Sequence, residues 1–241
     1  MTSAGLDELL RNPSLWRADS AQDTPKTLPT GFRRLDERLP GGGWPLDTLI
    51  ELLLPAHGVG ELNLLVPALR ALGWQDAGPR RWIAWLGPPH LPYAPALASA
   101  GLDPATMLVV QPRVSRGAGR GGQQRGLSPQ GTVPSLLHSL PPPSQSSDPT
   151  LWAMEQALRS RACAAALGWV DAADGNALRR LKLAAEEGGS LGFLFRPLHR
   201  ADEPSPAALR LALEPRGSVL DVQLLKCQGG RPGRLEGVMG G

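Results

Sequence analysis

Between residues 48 and 197 short apolar runs alternate with helix-compatible stretches, and this alternation restricts the fold more than any other feature of the chain. The runs lie at 48–54, 81–87, 106–111, 163–170 and 190–197. They are rich in Leu, Ile, Val, Ala and Trp, the first interrupted by one acid, Glu51, the pattern of strands covered on both faces. Helical spacing falls between them, at 62–72, 94–100, from 148 onward and at 174–187. Pro67 is expected to kink or shorten the first of these helices. In the third, Asp148 reads as an N-cap with Pro149 at the first helical position, and Leu151, Met154 and Leu158 form one stripe. Alternating β and α units predict an α/β fold, a mostly parallel sheet with helices on both faces. The runs "ALRLALEP" and "VLDVQLLK", separated by a turn at Arg216-Gly217, predict an antiparallel hairpin at its C-terminal end.

At 241 residues the chain fits one domain, but 29 Gly and 25 Pro exceed what a compact domain usually carries. Much of that excess lies in 113–147, which holds Arg113, Arg116, Arg120 and Arg125, no acid, and many Gly, Pro, Ser and Gln. Such a composition cannot bury enough apolar surface to offset chain entropy, so a disordered insertion is expected there. Residues 1–29 read as an N-terminal arm and linker, with Leu6, Leu9, Leu10 and Trp16 on or near one helical stripe. Residues 228–241 read as a flexible, basic, Gly-rich tail. The globular body is therefore expected at 30–227. A formal charge of +3 and a pI near 9.3 permit contact with nucleic acid or an acidic protein without demanding either. Cys163 and Cys227 are too few for a disulfide scaffold or a cysteine metal cluster. No leader pattern opens the chain and no long apolar run follows, so a cytoplasmic protein without membrane contact is the expectation.

The stretch 51–65, "ELLLPAHGVGELNLL", has the outline of a phosphate-binding loop: strand, glycine-rich turn, helix. Such a loop works because successive backbone N–H groups wrap phosphate, a lysine reaches the outer oxygens and a hydroxyl holds magnesium. Pro55, Gly58 and Gly60 supply the turn, but Glu61 stands at the lysine position and Leu62 at the hydroxyl position. No lysine occurs between Lys26 and Lys182 to substitute for the missing one. A carboxylate at Glu61 would repel a phosphate by about a kcal/mol or more at such range.

The run "TGFRRLDERLPGGGWPLDTLIELLLP" resembles the RecA recombinase core, with Thr-Gly, Leu-Asp, Gly-Gly, Pro and a Glu-containing strand in the same order. The similarity continues through "RWIAWLGPPHLPYAPALASAGLDPATMLVVQP", "LWAMEQALRSRACAAALGWV" and "SLGFLFRP", and so spans most of 30–227. It implies a RecA-like P-loop NTPase core. Against that pattern Pro89, beside His90, takes the place of the water-activating glutamate. Trp169 takes the place of the magnesium-linked strand-end aspartate, with Asp171 two residues on. Arg196 corresponds to the nucleotide-sensing position, and the long DNA-binding loop shrinks to 197–205.

With "LPGGGWP", "IELLLPAHGVGEL" and "LWAMEQALRS", the chain resembles the SulA/ImuA group of RecA-like proteins, and within it the ImuA branch. The resemblance implies a non-enzymatic adaptor of the SOS response in translesion DNA synthesis, with neither cofactor nor metal. The implied partners are RecA, an inactive Y-family polymerase homologue and a DnaE-type error-prone polymerase. Two alternatives stay open: a SulA-type cell-division inhibitor that binds the tubulin homologue FtsZ, and a living ATPase in which Arg70 or Arg196 replaces the lysine. The candidate partner-binding residues are Leu9, Leu10 and Trp16 in the arm, Trp44 as an exposed contact between glycine and proline, and Lys226, Arg231 and Arg234 toward the tail. His90 reads as a surface histidine, and Asp171 and Asp174 as a strand exit and a helix cap rather than a carboxylate pair.

The loss of lysine and hydroxyl predicts that titration with a fluorescent ATP analogue and magnesium gives no saturable signal in the micromolar range. Micromolar binding contradicts this reading of the loop.

Overall fold

The computed structural model describes residues 26–73, 80–111 and 148–240. Along the chain these form β1 (Thr27–Leu28), α1 (Arg33–Asp36), β2 (Trp44–Pro45), β3 (Leu49–Leu54), α2 (Glu61–Gly73), β4 (Trp82–Leu86), α3 (Ala94–Ser99) and β5 (Met107–Val110). Then follow α4 (Pro149–Arg159), β6 (Cys163–Trp169), α5 (Gly175–Gly188), β7 (Leu191–Pro197), β8 (Leu209–Arg216), β9 (Val219–Cys227) and β10 (Gly233–Met239). The eight-stranded sheet has the order β10-β9-β8-β3-β7-β6-β4-β5, and β1 and β2 make a separate two-stranded ladder. From β8 through β3 to β5 every pairing is parallel, while β8–β9 and β9–β10 are antiparallel. The alternating α/β pattern and the hairpin are thus both realised.

The physical reason lies in which residues are sealed on each face. All six residues of β3, Glu51 among them, and all seven of β6 are buried, as expected of strands covered on both sides. One face packs Ile50, Leu52, Trp85, Leu167 and Phe193 against α2 and the α1–β2 segment. The other packs Leu49, Ala166 and Leu194 against α4 and α5. Both later helices begin on the expected caps. The Asp148 carboxylate accepts the N–H of Thr150 at 2.7 Å, and that of Asp174 accepts the N–H of Ala177 at 2.6 Å.

Three expectations need correction. Pro67 does not shorten its helix: α2 runs on to Gly73, and the ring packs against Gly31. Gly31 has φ +85°, and a Cβ there would come within 2.5 Å of the proline ring, so the two residues form a matched pair. Trp44 is not an exposed contact but is fully buried, with its ring edge-on to Phe193 at a centroid distance of 5.6 Å. An apolar ring of this size gains more from burial than its Gly and Pro neighbours gain from exposure.

The third correction concerns 228–241. Instead of a flexible tail, this segment forms β10, with Gly233, Arg234 and Leu235 opposite Leu224, Gln223 and Val222 of β9. Arg234 is an internal partner, 2.8 Å from Glu214 and 3.2 Å from Asp221. Asp221 is the anchor of this corner. It is fully buried, accepts the Gly237 N–H at 2.8 Å, and lies 3.3 Å from the Arg216 guanidinium. The 113–147 insertion and the arm residues Leu9, Leu10 and Trp16 lie outside the described residues.

The Gly237 N–H, followed by Arg234 and Arg216, holds the Asp221 carboxyl below the usual carboxylate range. A depressed folded-state pKa gives stability that is present above the ordinary carboxylate pKa, near 4, and is lost as pH falls through that range. Urea unfolding at a series of pH values should therefore show stability falling on the acid side. Asp221→Asn should be less stable at neutral pH and show a flatter acid limb.

Candidate functional site

The loop after β3 reaches from Pro55 to Gly60 and delivers the chain into α2 at the C-terminal end of the central strand. In open α/β sheets this is where ligands collect. Gly58 has φ +81° and Gly60 φ +102°, left-handed values that favour glycine and turn the chain sharply into α2. The turn is closed from within. Glu61 Oε1 accepts the Gly58 N–H at 2.9 Å, and the residue is only 4% exposed. The carboxylate thus takes up a backbone donor of the kind a phosphate would use, and it brings its own negative charge to the start of the helix. A second cover comes from the C-terminal strands, since a Cβ on Gly60 would lie 3.4 Å from the Met239 side chain of β10.

The neighbouring strand ends are filled by aromatic rings. Trp169, where the RecA pattern expects aspartate, stacks on Phe195 at 4.5 Å and 19° and on Trp85 at 5.7 Å and 20°. These three rings, from β6, β7 and β4, belong to the same core face as Leu64 and Leu65 of α2. Offset stacking contributes about 0.5–1.5 kcal/mol per pair beyond burial. Pro89 and His90 are exposed beyond the end of β4 and carry no acid to this place.

Arg196 is engaged elsewhere. Strand alternation turns Glu51, Arg196 and Arg210 to the α4–α5 face, the face of Leu49 and Leu194. Glu51 has no solvent exposure. Its two oxygens take Arg196 Nη1 at 3.1 Å and Arg210 Nε at 2.6 Å. Arg196 also reaches Glu203 at 2.6 Å, and Arg200 meets the other oxygen of Glu203 at 2.6 Å. These two guanidiniums, Arg200 foremost, hold the Glu203 carboxyl below its usual range. Arg210 closes the network by donating to the carbonyls of Ala201 at 2.9 Å and Arg200 at 3.1 Å. The short connection between β7 and β8 is therefore tied to the central strand by charge.

Arg70, the other proposed stand-in for lysine, is nine residues along α2 from Glu61, about 13 Å along the helix axis, at the opposite end of the sheet. Of the residues proposed for partner contact near the C-terminus, Lys226 donates to the Ser205 carbonyl at 2.7 Å, and burial lowers its pKa. Arg231 is exposed. The sequence reading missed Arg210 and Asp221 as anchors. It also missed Arg81, which donates to the carbonyls of Cys163 at 2.6 Å, Gly189 at 2.7 Å and Arg161 at 3.1 Å.

These features define a class: a mixed α/β protein, parallel at its centre, whose glycine turn after the central strand is sealed by its own carboxylate. The particular relatives are SulA proteins. The chain is 28% identical over 163 residues to cell division inhibitor SulA of Yersinia enterocolitica, an alignment covering 67% of this chain and 76% of the relative. A shorter match to cell division inhibitor SulA of Photorhabdus laumondii is 42% identical over 65 residues, and covers 27% of this chain and 37% of that protein. Among solved structures, SulA from Pseudomonas aeruginosa is similar at a TM-score of 0.39 and 22% identity, over 61% of this chain and 97% of that one. No family profile matches the chain. Among the described residues, no helix is long and apolar enough to cross a membrane.

Removing Glu51 leaves two buried guanidiniums without their carboxylate, a loss of about 3–5 kcal/mol for a broken buried pair. Glu51→Gln should lower the urea midpoint by a correspondingly large amount, whereas Arg33→Gln, at an exposed pair, should leave it nearly unchanged.

Proposed function

We propose that this chain is a non-catalytic, RecA-like adaptor of the SOS response. It acts in translesion DNA synthesis in the cytoplasm by binding RecA, the error-prone polymerase assembly, or both. The observation that carries this reading is the Glu61 carboxylate bound to the Gly58 N–H at 2.9 Å inside the loop. A protein that turned over ATP would need that donor and that space for phosphate. The stacked Trp169 and the engaged Arg196 support the same conclusion, because each occupies a position whose chemistry the RecA pattern needs. A parallel centre flanked by helices, with a strand, glycine turn and helix at the middle, supports descent from a RecA-like core. What remains for function is surface. Leu91 and Tyr93 are 74% and 71% exposed in a proline-rich turn after β4, side chains of the kind that protein interfaces use.

A second reading is favoured by one observation, the description of the similar proteins as cell division inhibitors. In that reading the same scaffold binds FtsZ and blocks division. Both readings are non-enzymatic and differ in target.

Tagged full-length chain, captured from DNA-damaged cells and analysed by mass spectrometry, should bring down RecA or a polymerase component. Recovery of FtsZ in their place, together with filamentation on overexpression, supports the division inhibitor. Recovery of none of these overturns the adaptor.

A further inference from the structure

A cleft of about 430 Å³ opens at the end of the sheet opposite the sealed loop, between the last turn of α2, the start of β4 and the turn from α3 into β5. Leu69, Leu72, Ile83 and Leu102 give it apolar walls. Among the described residues its charge is unbalanced: Arg70, Arg80 and Arg81 line it against one carboxylate, Asp103. Arg80 pairs with Asp103 at 2.9 Å, both side chains well exposed, an arrangement that an incoming carboxylate can exchange at little cost. Arg81 spends its Nε and Nη2 donors on main-chain carbonyls, which carry no full charge to offset its own. Among the described residues no carboxylate lies within ion-pair distance of Arg70 or Arg81. The Arg70 guanidinium lies across Gly101, where an added Cβ would come 2.8 Å from Nε.

We infer that this cleft is a docking site for an acidic, apolar peptide segment of a partner protein. The inference rests on the reading of the chain as a protein-binding module, and adds where and how one partner segment is held. The apolar walls take a Leu- or Phe-sized side chain, Arg70 takes a neighbouring carboxylate in the forked geometry for which arginine is suited, Arg80 can exchange Asp103 for a second, and Arg81 adds only its charge. The volume matches sites that accept a few side chains. Nucleic acid fits less well, because a phosphate track needs a row of cations in water, whereas here the cations border an apolar hollow that also carries Asp103.

The probe is a fluorescein-labelled peptide of alternating Asp and Leu, titrated with the full-length chain and read by anisotropy. The matching Lys–Leu peptide and a labelled oligothymidylate are run beside it. The acidic peptide should bind in a salt-dependent way and the Lys–Leu peptide should not. Arg70→Glu should weaken binding by roughly tenfold or more, Arg70→Gln by less, and Ala98→Trp, which fills the cleft from the exposed face of α3, should abolish it. Both positions are exposed, and unchanged thermal unfolding establishes that each of the three variants is folded. Absence of peptide binding, or binding unchanged in both Arg70→Glu and Ala98→Trp, overturns the inference. So does Arg70-dependent binding of oligothymidylate in preference to the peptide. Peptide failure with partner capture intact removes the cleft alone, whereas capture failure with peptide binding intact removes the adaptor and leaves the cleft.

Discussion

A carboxylate sealed in the central strand governs how the two halves of this sheet are joined. Glu51 has no access to water, so it persists only because Arg196 from β7 and Arg210 from β8 bring charge and hydrogen bonds to both oxygens. These are the two strands that flank β3, and the pair of contacts fixes the parallel centre to the antiparallel C-terminal extension. The same arginines hold Glu203 and the carbonyls of Arg200 and Ala201, so the β7–β8 connection is tied to both flanking strands. The carboxylate oxygens of this network are all paired, while Arg196 Nε and Arg200 Nε are buried without a partner.

Next to that network the glycine turn after β3 has the outline of a phosphate loop without its lysine and hydroxyl. The positive φ angles at Gly58 and Gly60 are those of a turn that exposes N–H groups, and Glu61 supplies a fixed internal anion to one of them. Retaining the turn costs little, since it also positions α2 over the sheet, where Leu64, Leu65, Ala68 and Leu69 are buried. Filling the neighbouring strand ends with Trp85, Trp169 and Phe195 adds apolar burial where an enzyme would keep polar groups exposed to ligand. Pocket chemistry and core packing compete for the same volume, and in this chain packing has taken it.

Much of the architecture was legible because it follows from local chemistry. Continuous apolar runs, Asp148 and Asp174 at helix starts, and period-two stretches in β8 and β9 each act within a few residues. Glu61 and Leu62 could be read as a lost lysine and hydroxyl from position alone. That Glu61 turns back to bind Gly58 needed coordinates. Features that depend on distant partners were not legible. Glu51 looked like one acid interrupting an apolar strand, and its partners lie 145 and 159 residues away. β10 was hidden by its Gly, Pro and Arg neighbours, and it forms because Asp221 and Glu214 on β8–β9 wait for Arg234. Trp44 misled for the converse reason: flanking turn residues suggested exposure, while the ring reaches a core position beside Phe193.

If surface and not pocket carries the function, ATP has no purchase on the loop. Amide hydrogen exchange across 55–62 in the full-length chain, with and without millimolar Mg-ATP, tests this at the atoms concerned. The account predicts identical exchange at Gly58, Gly60 and Glu61 in both conditions, with the Gly58 amide slowed already by its bond to Glu61. Added protection of these amides by Mg-ATP would contradict it.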